Sequence, residues 1–154
     1  MKAKELSLLI GLLLTAGLCQ AQAQVEGAVE YGLLSGRIDN PQPGERLLTR
    51  ADIHLEATDQ VPARLGSRFG LRFALTGKAD NELPLTLLYL TPGVVTPDGV
   101  RHDRFEVVQK LVPGAPHELM AFEFSEPYEV VPGEWRFLVF QGDRKLAEQR
   151  FQVQ

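Results

Sequence analysis

The nine residues from Arg68 to Thr76 constrain the fold of this chain more than any other stretch. Large apolar residues alternate there with polar or small ones: Phe69, Leu71, Phe73 and Leu75 against Arg68, Gly70, Arg72 and Ala74. Successive side chains of a β-strand point to opposite faces, so the pattern predicts a strand with one buried face. Each large side chain stabilises by roughly 1.5–3 kcal/mol when fully buried, which places this row at the centre of the predicted core. Gly70, on the opposite face, predicts a bulge or the close approach of another backbone.

Similar alternating segments recur along the chain between turn residues. Pro-Gly pairs and the sequence Pro97-Asp98-Gly99 separate runs of about five to nine residues, a spacing typical of all-β domains. The predicted strands are Ala28–Leu34, Ala51–Thr58, Arg68–Thr76, Leu85–Leu90, Arg104–Leu111, Glu118–Ser125 and a closing hairpin within Pro127–Val153. Residues 39–45 and 92–99 are predicted to be loops, because Pro, Gly, Asp and Asn cluster there.

The closing hairpin is predicted to complete the core. Pro132-Gly133 marks its entry, and Gly142-Asp143 predicts the reversal between its strands. Two rows are expected to be buried: Trp135, Phe137 and Val139, then Ala147, Phe151 and Val153. We therefore expect a two-layer antiparallel β-sandwich of immunoglobulin-like type with about seven to eight strands, and a small β-barrel is the alternative. The Cys, Trp and Cys pattern of antibody domains is missing, so the term describes layers and not ancestry.

The N-terminus has the features of a secretory signal peptide. Lys2 and Lys4 precede an apolar run of about 13 residues, which is followed by Ala21-Gln22-Ala23. The run is shorter than the roughly 20 residues that span a bilayer, so no stable membrane anchor is expected after cleavage. We assign residues 1–23 to the signal and 24–154 to a single domain that is periplasmic or secreted, although cleavage after Ala21 also fits. Lipid attachment at Cys19 is disfavoured because the large Leu18 precedes it.

Charge and cysteine content exclude several classes of partner and chemistry. The chain has 16 basic and 20 acidic residues, and removal of Lys2, Lys4 and Glu5 leaves 14 and 19, a net charge of −5. Such a balance argues against nucleic acid or anionic lipid as a partner. Since the only cysteine lies in the signal, the mature domain is predicted to fold without a disulfide.

No motif for catalysis, metal binding or a cofactor stands out. Ser35 and Ser67 adjoin glycines, but neither lies in a G-x-S-x-G sequence, so hydrolase activity stays a minor alternative. Histidines 54, 102 and 117 lack the spacing of metal ligands, and His54 is predicted to face water. His102-Asp103 is suggestive, but adjacent strand residues point to opposite sides. We therefore predict no catalytic residues, no metal and no cofactor.

Two of the predicted strands contain more apolar residues than one buried face requires, and the excess residues are Leu88, Leu90, Leu138 and Phe140. If they are exposed, they form a patch suited to a protein partner, which is the predicted binding site. The alternative is a small-ligand domain for a glycan or lipid that uses Tyr128, Trp135 and neighbouring carboxylates. We expect Trp135 to belong to the core instead, because it shares a strand side with Phe137 and Val139.

Several short sequences resemble those of a known family. They are Tyr31-Gly32, residues 68–73 (RFGLRF), residues 129–135 (EVVPGEW), Leu146-Ala147-Glu148 and Phe151-Gln152-Val153. On these residues, which span most of the mature chain, the sequence resembles the bacterial domain-of-unknown-function family numbered 3859. The resemblance implies a compact exported β domain and brings no catalytic residues with it.

Overall fold

The computed structural model describes residues 22–35, 53–79 and 82–154, and the predicted loop 39–45 lies outside these ranges. The described residues form nine strands: β1 Gln24–Ser35, β2 His54–Glu56, β3 Gln60–Val61, β4 Arg68–Thr76, β5 Leu85–Val95, β6 Arg101–Gln109, β7 Glu118–Glu123, β8 Gly133–Gln141 and β9 Arg144–Val153. A single turn of 3-10 helix spans Pro127–Glu129. None of the described helices is long and apolar enough to span a membrane.

The strands make two separate sheets rather than a closed barrel. One sheet has the order β2-β1-β4-β7, and the other has the order β3-β9-β8-β5-β6. All neighbours are antiparallel except the short β3, which runs parallel to the end of β9. The all-β two-layer sandwich predicted from the sequence is confirmed, and the barrel alternative is wrong.

Phe69 lies at the centre of the core between the two sheets. Its ring centroid is 5.1 Å from those of both Phe137 and Phe151, and 6.0 Å from that of Trp135. The alternating row of β4 is almost fully buried, as predicted. Val139, Phe151 and Val153, also predicted to be buried, have 1% or less of their surface exposed, and so do Met120 and Phe124 on β7 and just after it. The six largest fully buried side chains are aromatic, which suits a domain predicted to lack disulfides.

Gly70 confirms the predicted close approach of another backbone. A Cβ atom at Gly70 would lie 2.0 Å from the carbonyl oxygen of Met120 on β7 and 2.8 Å from the Cα of Ala121. Both contacts are with backbone atoms that a rotamer change cannot move. Glycine therefore allows β4 and β7 to pair at their observed separation.

The prediction that residues 92–99 form a loop is wrong for residues 92–95. Strand β5 continues through Pro92-Gly93 to Val95 because its pairing with β6 shifts register between Leu90 and Val94. At this bulge the Thr91 hydroxyl donates to the carbonyl of His102 (2.8 Å), and the Gly93 N–H donates to the Thr91 hydroxyl (3.0 Å). A bulge tolerates proline, which cannot donate to a sheet ladder.

A buried ion pair closes one end of the sandwich. The Glu118 side chain is fully buried, and its Oε1 lies 3.3 Å from the Nζ of Lys78. The Gln109 side-chain amide donates to Glu118 Oε2 at 3.0 Å, and Lys78 also donates to the carbonyl of Ala115. Each charge therefore has partners, which a buried pair requires. Sequence alternation does not predict this pair, because Glu118 occupies a core-facing position where an apolar residue is expected.

Candidate functional site

The four residues predicted to bind a partner lie on one face of the five-stranded sheet, the face that points away from the core. Leu88 lies directly opposite Leu138 in the β5–β8 pair, Thr86 lies opposite Phe140, and Leu90 lies opposite Arg136. Their neighbours Leu87, Tyr89, Phe137 and Val139 point into the sandwich. We call this face the outer face.

The outer face consists of three rows of side chains that cross strands β6, β5, β8 and β9. The first row is Val108, Thr86, Phe140 and Lys145; the second is Glu106, Leu88, Leu138 and Glu148; the third is Arg104, Leu90, Arg136 and Arg150. Directly opposite side chains on one face of a sheet lie close enough to interact, so the side chains of each row form one continuous stripe of surface. The first row therefore contains two of the apolar side chains, and the third row contains three arginines.

The four residues predicted to bind a partner differ in their exposure to solvent. Leu138 is only 7% exposed to solvent, whereas Leu88, Leu90 and Phe140 are half-buried. Leu138 lies on a central strand among large side chains, which explains a low exposure on the outer face. The apolar surface that a partner can reach on this face is therefore concentrated away from Leu138.

The most exposed apolar residues of the sheet lie on its edge strand, β6. Val107 is 48% exposed and Val108 is 64% exposed. The sequence predicts a strand over Arg104–Leu111 but did not lead us to expect an exposed valine at its end. Two successive valines in an otherwise charged strand were the available signal, because one of them must point away from the core.

Strand β6 is also the longest of the four edge strands of the two sheets in the described part of the chain. The other three edge strands, β2, β3 and β7, have three, two and six residues, whereas β6 has nine. An edge strand leaves a row of backbone N–H and C=O groups unpaired on one side. Short length and charged side chains protect edge strands from pairing with another chain. The charged residues of β6 all lie among its first six residues, so its last three residues lack this protection.

An ion-pair network borders the outer face on β9. Glu148 lies 2.5 Å from the Nζ of Lys145 and 2.6 Å from a guanidinium nitrogen of Arg136. Hydrogen bonds from Lys145 and Arg136 lower the pKa of Glu148 from 4.5 to about 2, and the bond to Glu148 raises the pKa of Arg136. The network fixes these charges beside Leu138.

Arg104 differs from the other arginines of its row. It is exposed, and no ion pair or hydrogen bond joins its guanidinium to another of the described residues. Arg136 and Arg150, in contrast, both lie within 4 Å of a Glu148 oxygen. Arg104 therefore supplies an exposed positive charge on strand β6 that has no ion-pair partner among the described residues. We call strand β6, with the exposed side chains of Arg104, Val107 and Val108, the β6 border.

The structure separates the residues of the alternative small-ligand site. Trp135 is fully buried, and its Nε1 donates to the carbonyl of Val131 at 2.9 Å, so the predicted core position is confirmed. Tyr128 is half-buried in the 3-10 turn, where partial burial and then the carboxylates of Glu129 and Glu126 raise its pKa. A sugar-stacking platform of Tyr128 and Trp135 is therefore not available.

The histidines and serines considered for chemistry have structural roles or face water. The His102 ring stacks on Phe105 at 5.5 Å, and Asp103 pairs with Arg101 at 2.8 Å. Ser67 donates to the carbonyl of Pro62 at 2.7 Å, and His54 is exposed, as predicted. Over residues 22–35, 53–79 and 82–154, no three His, Cys, Asp or Glu side chains form a group that could hold a metal ion.

Comparison with known proteins adds a family and a fold. The sequence pattern of a family described as "Domain of unknown function (DUF3859)" matches residues 22–153. Among solved structures, the chain is similar to an immunoglobulin-like protein from Pseudomonas aeruginosa. The two sequences are 54% identical, the match covers 88% of this chain and 99% of that one, and the TM-score is 0.76.

Two other solved structures match at low similarity. The alkylpurine DNA glycosylase AlkC of Pseudomonas fluorescens, bound to DNA containing an abasic site analog, is 19% identical over 82% of this chain and 30% of its own, with a TM-score of 0.37. The soluble domain of PmoD from Methylocystis sp. is 16% identical over 85% of this chain and 97% of its own, with a TM-score of 0.38. Neither similarity is high enough to indicate a fold or a function. No significant match is found among curated proteins.

Proposed function

The chain belongs to the DUF3859 family, and on that premise we propose that it is an exported, non-catalytic domain that binds a protein partner at the β6 border. The observation that carries the proposal is the combination of a nine-residue edge strand with two exposed valines near its end. In β-strand addition, an extended segment of a partner pairs with such an edge: main-chain hydrogen bonds supply affinity, and alternating side-chain contacts supply specificity.

The outer face supports this proposal by providing contacts next to the edge. In the first row, Thr86 lies between two apolar side chains, Val108 on β6 and Phe140 on β8. A strand added beyond β6 continues these rows, since neighbouring strands lie about 4.8 Å apart. The added strand would extend the first row from Val108 and the third row from Arg104.

Charge favours one kind of partner segment. Arg104 has no ionic partner in the described ranges and lies four residues from Val108 on the same strand face. A segment with a carboxylate opposite Arg104 and an apolar residue opposite Val108 would complement both ends. Such pairs across a sheet contribute roughly 0.2–1 kcal/mol each, so the backbone hydrogen bonds and apolar contacts carry most of the affinity.

The experiment is capture of periplasmic proteins on the immobilised mature domain. A Val107→Lys, Val108→Lys variant is compared with a Leu65→Lys, Leu83→Lys variant, because Leu65 and Leu83 are 54% and 62% exposed but lie outside β6. We expect the β6 variant to lose a partner that the wild type and the control variant retain, with all three proteins folded by circular dichroism. Equal capture by all three would reject the β6 border as the binding surface.

A further inference from the structure

We infer that signal peptidase cleaves this chain between Ala21 and Gln22, and not after Ala23. The sequence allows both bonds, because small residues occupy the first and third positions before each of them: Ala21 and Cys19 for one bond, Ala23 and Ala21 for the other. The reaction adds water across the Ala21–Gln22 peptide bond, which leaves a carboxylate on Ala21 and a free amine on Gln22. This inference rests on the export that forms part of the proposed function.

Ala23 is part of the folded domain. It is fully buried and belongs to the same core cluster as Leu75 and Ala147. Strand β1 begins at the next residue, and Gln24 pairs with Thr76 of β4. Cleavage after Ala23 would therefore remove a core residue from the mature protein and leave a void that its neighbours must fill.

The carbonyl of Ala23 has a specific partner. It accepts a hydrogen bond from the guanidinium of Arg144, which also donates to the side-chain oxygen of Gln141 at 3.1 Å. If the chain began at Gln24, this acceptor would be lost. The positively charged amine of Gln24 would then lie near the Arg144 guanidinium, an unfavourable pairing of like charges.

Gln22 is a suitable first residue. It is exposed, so its charged amine can remain in water. Its carbonyl oxygen lies 3.2 Å from the place where a Cβ of Gly77 would be, so the backbone at Gln22 still follows the end of β4. The family match also begins at residue 22. The burial and the hydrogen bond of Ala23 therefore argue against Gln24 as the first residue, and the family boundary favours Gln22.

The test is the intact mass and N-terminal sequence of the periplasmic product after expression of the full chain in a bacterium. Two matched variants, Gln22→Pro and Gln24→Pro, each place proline after one candidate bond, where it blocks signal peptidase. Both positions are exposed, and Gln24 is the first residue of β1, where proline is tolerated. We expect wild type to begin at Gln22, Gln22→Pro to accumulate uncut precursor, and Gln24→Pro to be cut normally.

Three results would overturn the inference. A mature chain that begins at Gln24, with Gln24→Pro uncut and Gln22→Pro processed, would place the bond after Ala23. A lipid-modified N-terminal Cys19 would show processing by a different peptidase. An uncut wild-type chain retained in the cytoplasm would reject export itself, whereas the first two results reject only the cleavage site and leave partner binding at the β6 border untouched.

Discussion

Leu88 and Leu138 lie directly opposite each other on strands β5 and β8, on the sheet face that points away from the core. Leu138 is only 7% exposed to solvent, while Leu88 is half-buried. This pair separates two properties that the sequence could not separate, namely which face an apolar residue occupies and how open it is. Binding at this sheet is therefore expected at its edge, where Val107 and Val108 are exposed, more than at its centre.

Leu138→Lys should destabilise the domain far more than Val108→Lys. Leu138 is buried, so the change loses about 2 kcal/mol of apolar burial and adds the cost of placing a charged group at a buried position. Val108 is mostly exposed, and surface changes usually stay within about 0.5 kcal/mol. Urea unfolding measures both free energies. Equal stability of the two variants would show that Leu138 is as exposed to solvent as Val108.

Gly70→Ala should disrupt the pairing of β4 with β7, because its Cβ would lie 2.0 Å from the Met120 carbonyl oxygen. Gly114→Ala is the matched control, since nothing lies within 4 Å of a Cβ there. We expect Gly70→Ala to lower the melting temperature strongly and Gly114→Ala to leave it nearly unchanged. A melting temperature unaffected by Gly70→Ala would contradict the observed strand separation.

The contribution of Glu148 to stability should depend on pH. Its pKa falls from 4.5 to about 2 on folding, so the stabilisation is complete above the unfolded value and is lost as the pH falls from about 4.5 to 2. The difference in unfolding free energy between wild type and Glu148→Gln should therefore shrink over this range. In an Arg136→Met, Lys145→Met background the same substitution should show no such change, and a persistent pH dependence would point to other donors.

Trp135 should report on the core and not on a ligand. It is the only tryptophan, it is fully buried, and aromatic rings surround it. Its fluorescence should be blue-shifted and insensitive to iodide or added sugars in the native state, and red-shifted after unfolding. Quenching of the native emission by iodide would place Trp135 at a surface and revive the small-ligand alternative.

The sequence predicted the interior of this domain better than its surface. The β4 row, Trp135 and the closing hairpin follow from alternation, because a strand with one buried face must repeat every two residues. The edge position of β6 does not follow from alternation, since strand order depends on contacts between distant segments. The buried Glu118 was not predicted either, because its partners Lys78 and Gln109 come from other parts of the chain. The binding surface depends on strand order, which explains why Val108 was missed.

Hydrogen exchange of the domain with and without its captured partner tests the β6 border most directly. Strand addition converts unpaired backbone N–H groups of β6 into hydrogen-bonded ones, so their exchange should slow when the partner binds. The edge strand of the other sheet, β7, serves as the internal control and should not change. Slower exchange confined to β6 and its neighbour β5 is the predicted result. Protection at β7 or at the 3-10 turn around Tyr128, with β6 unchanged, would contradict the proposal.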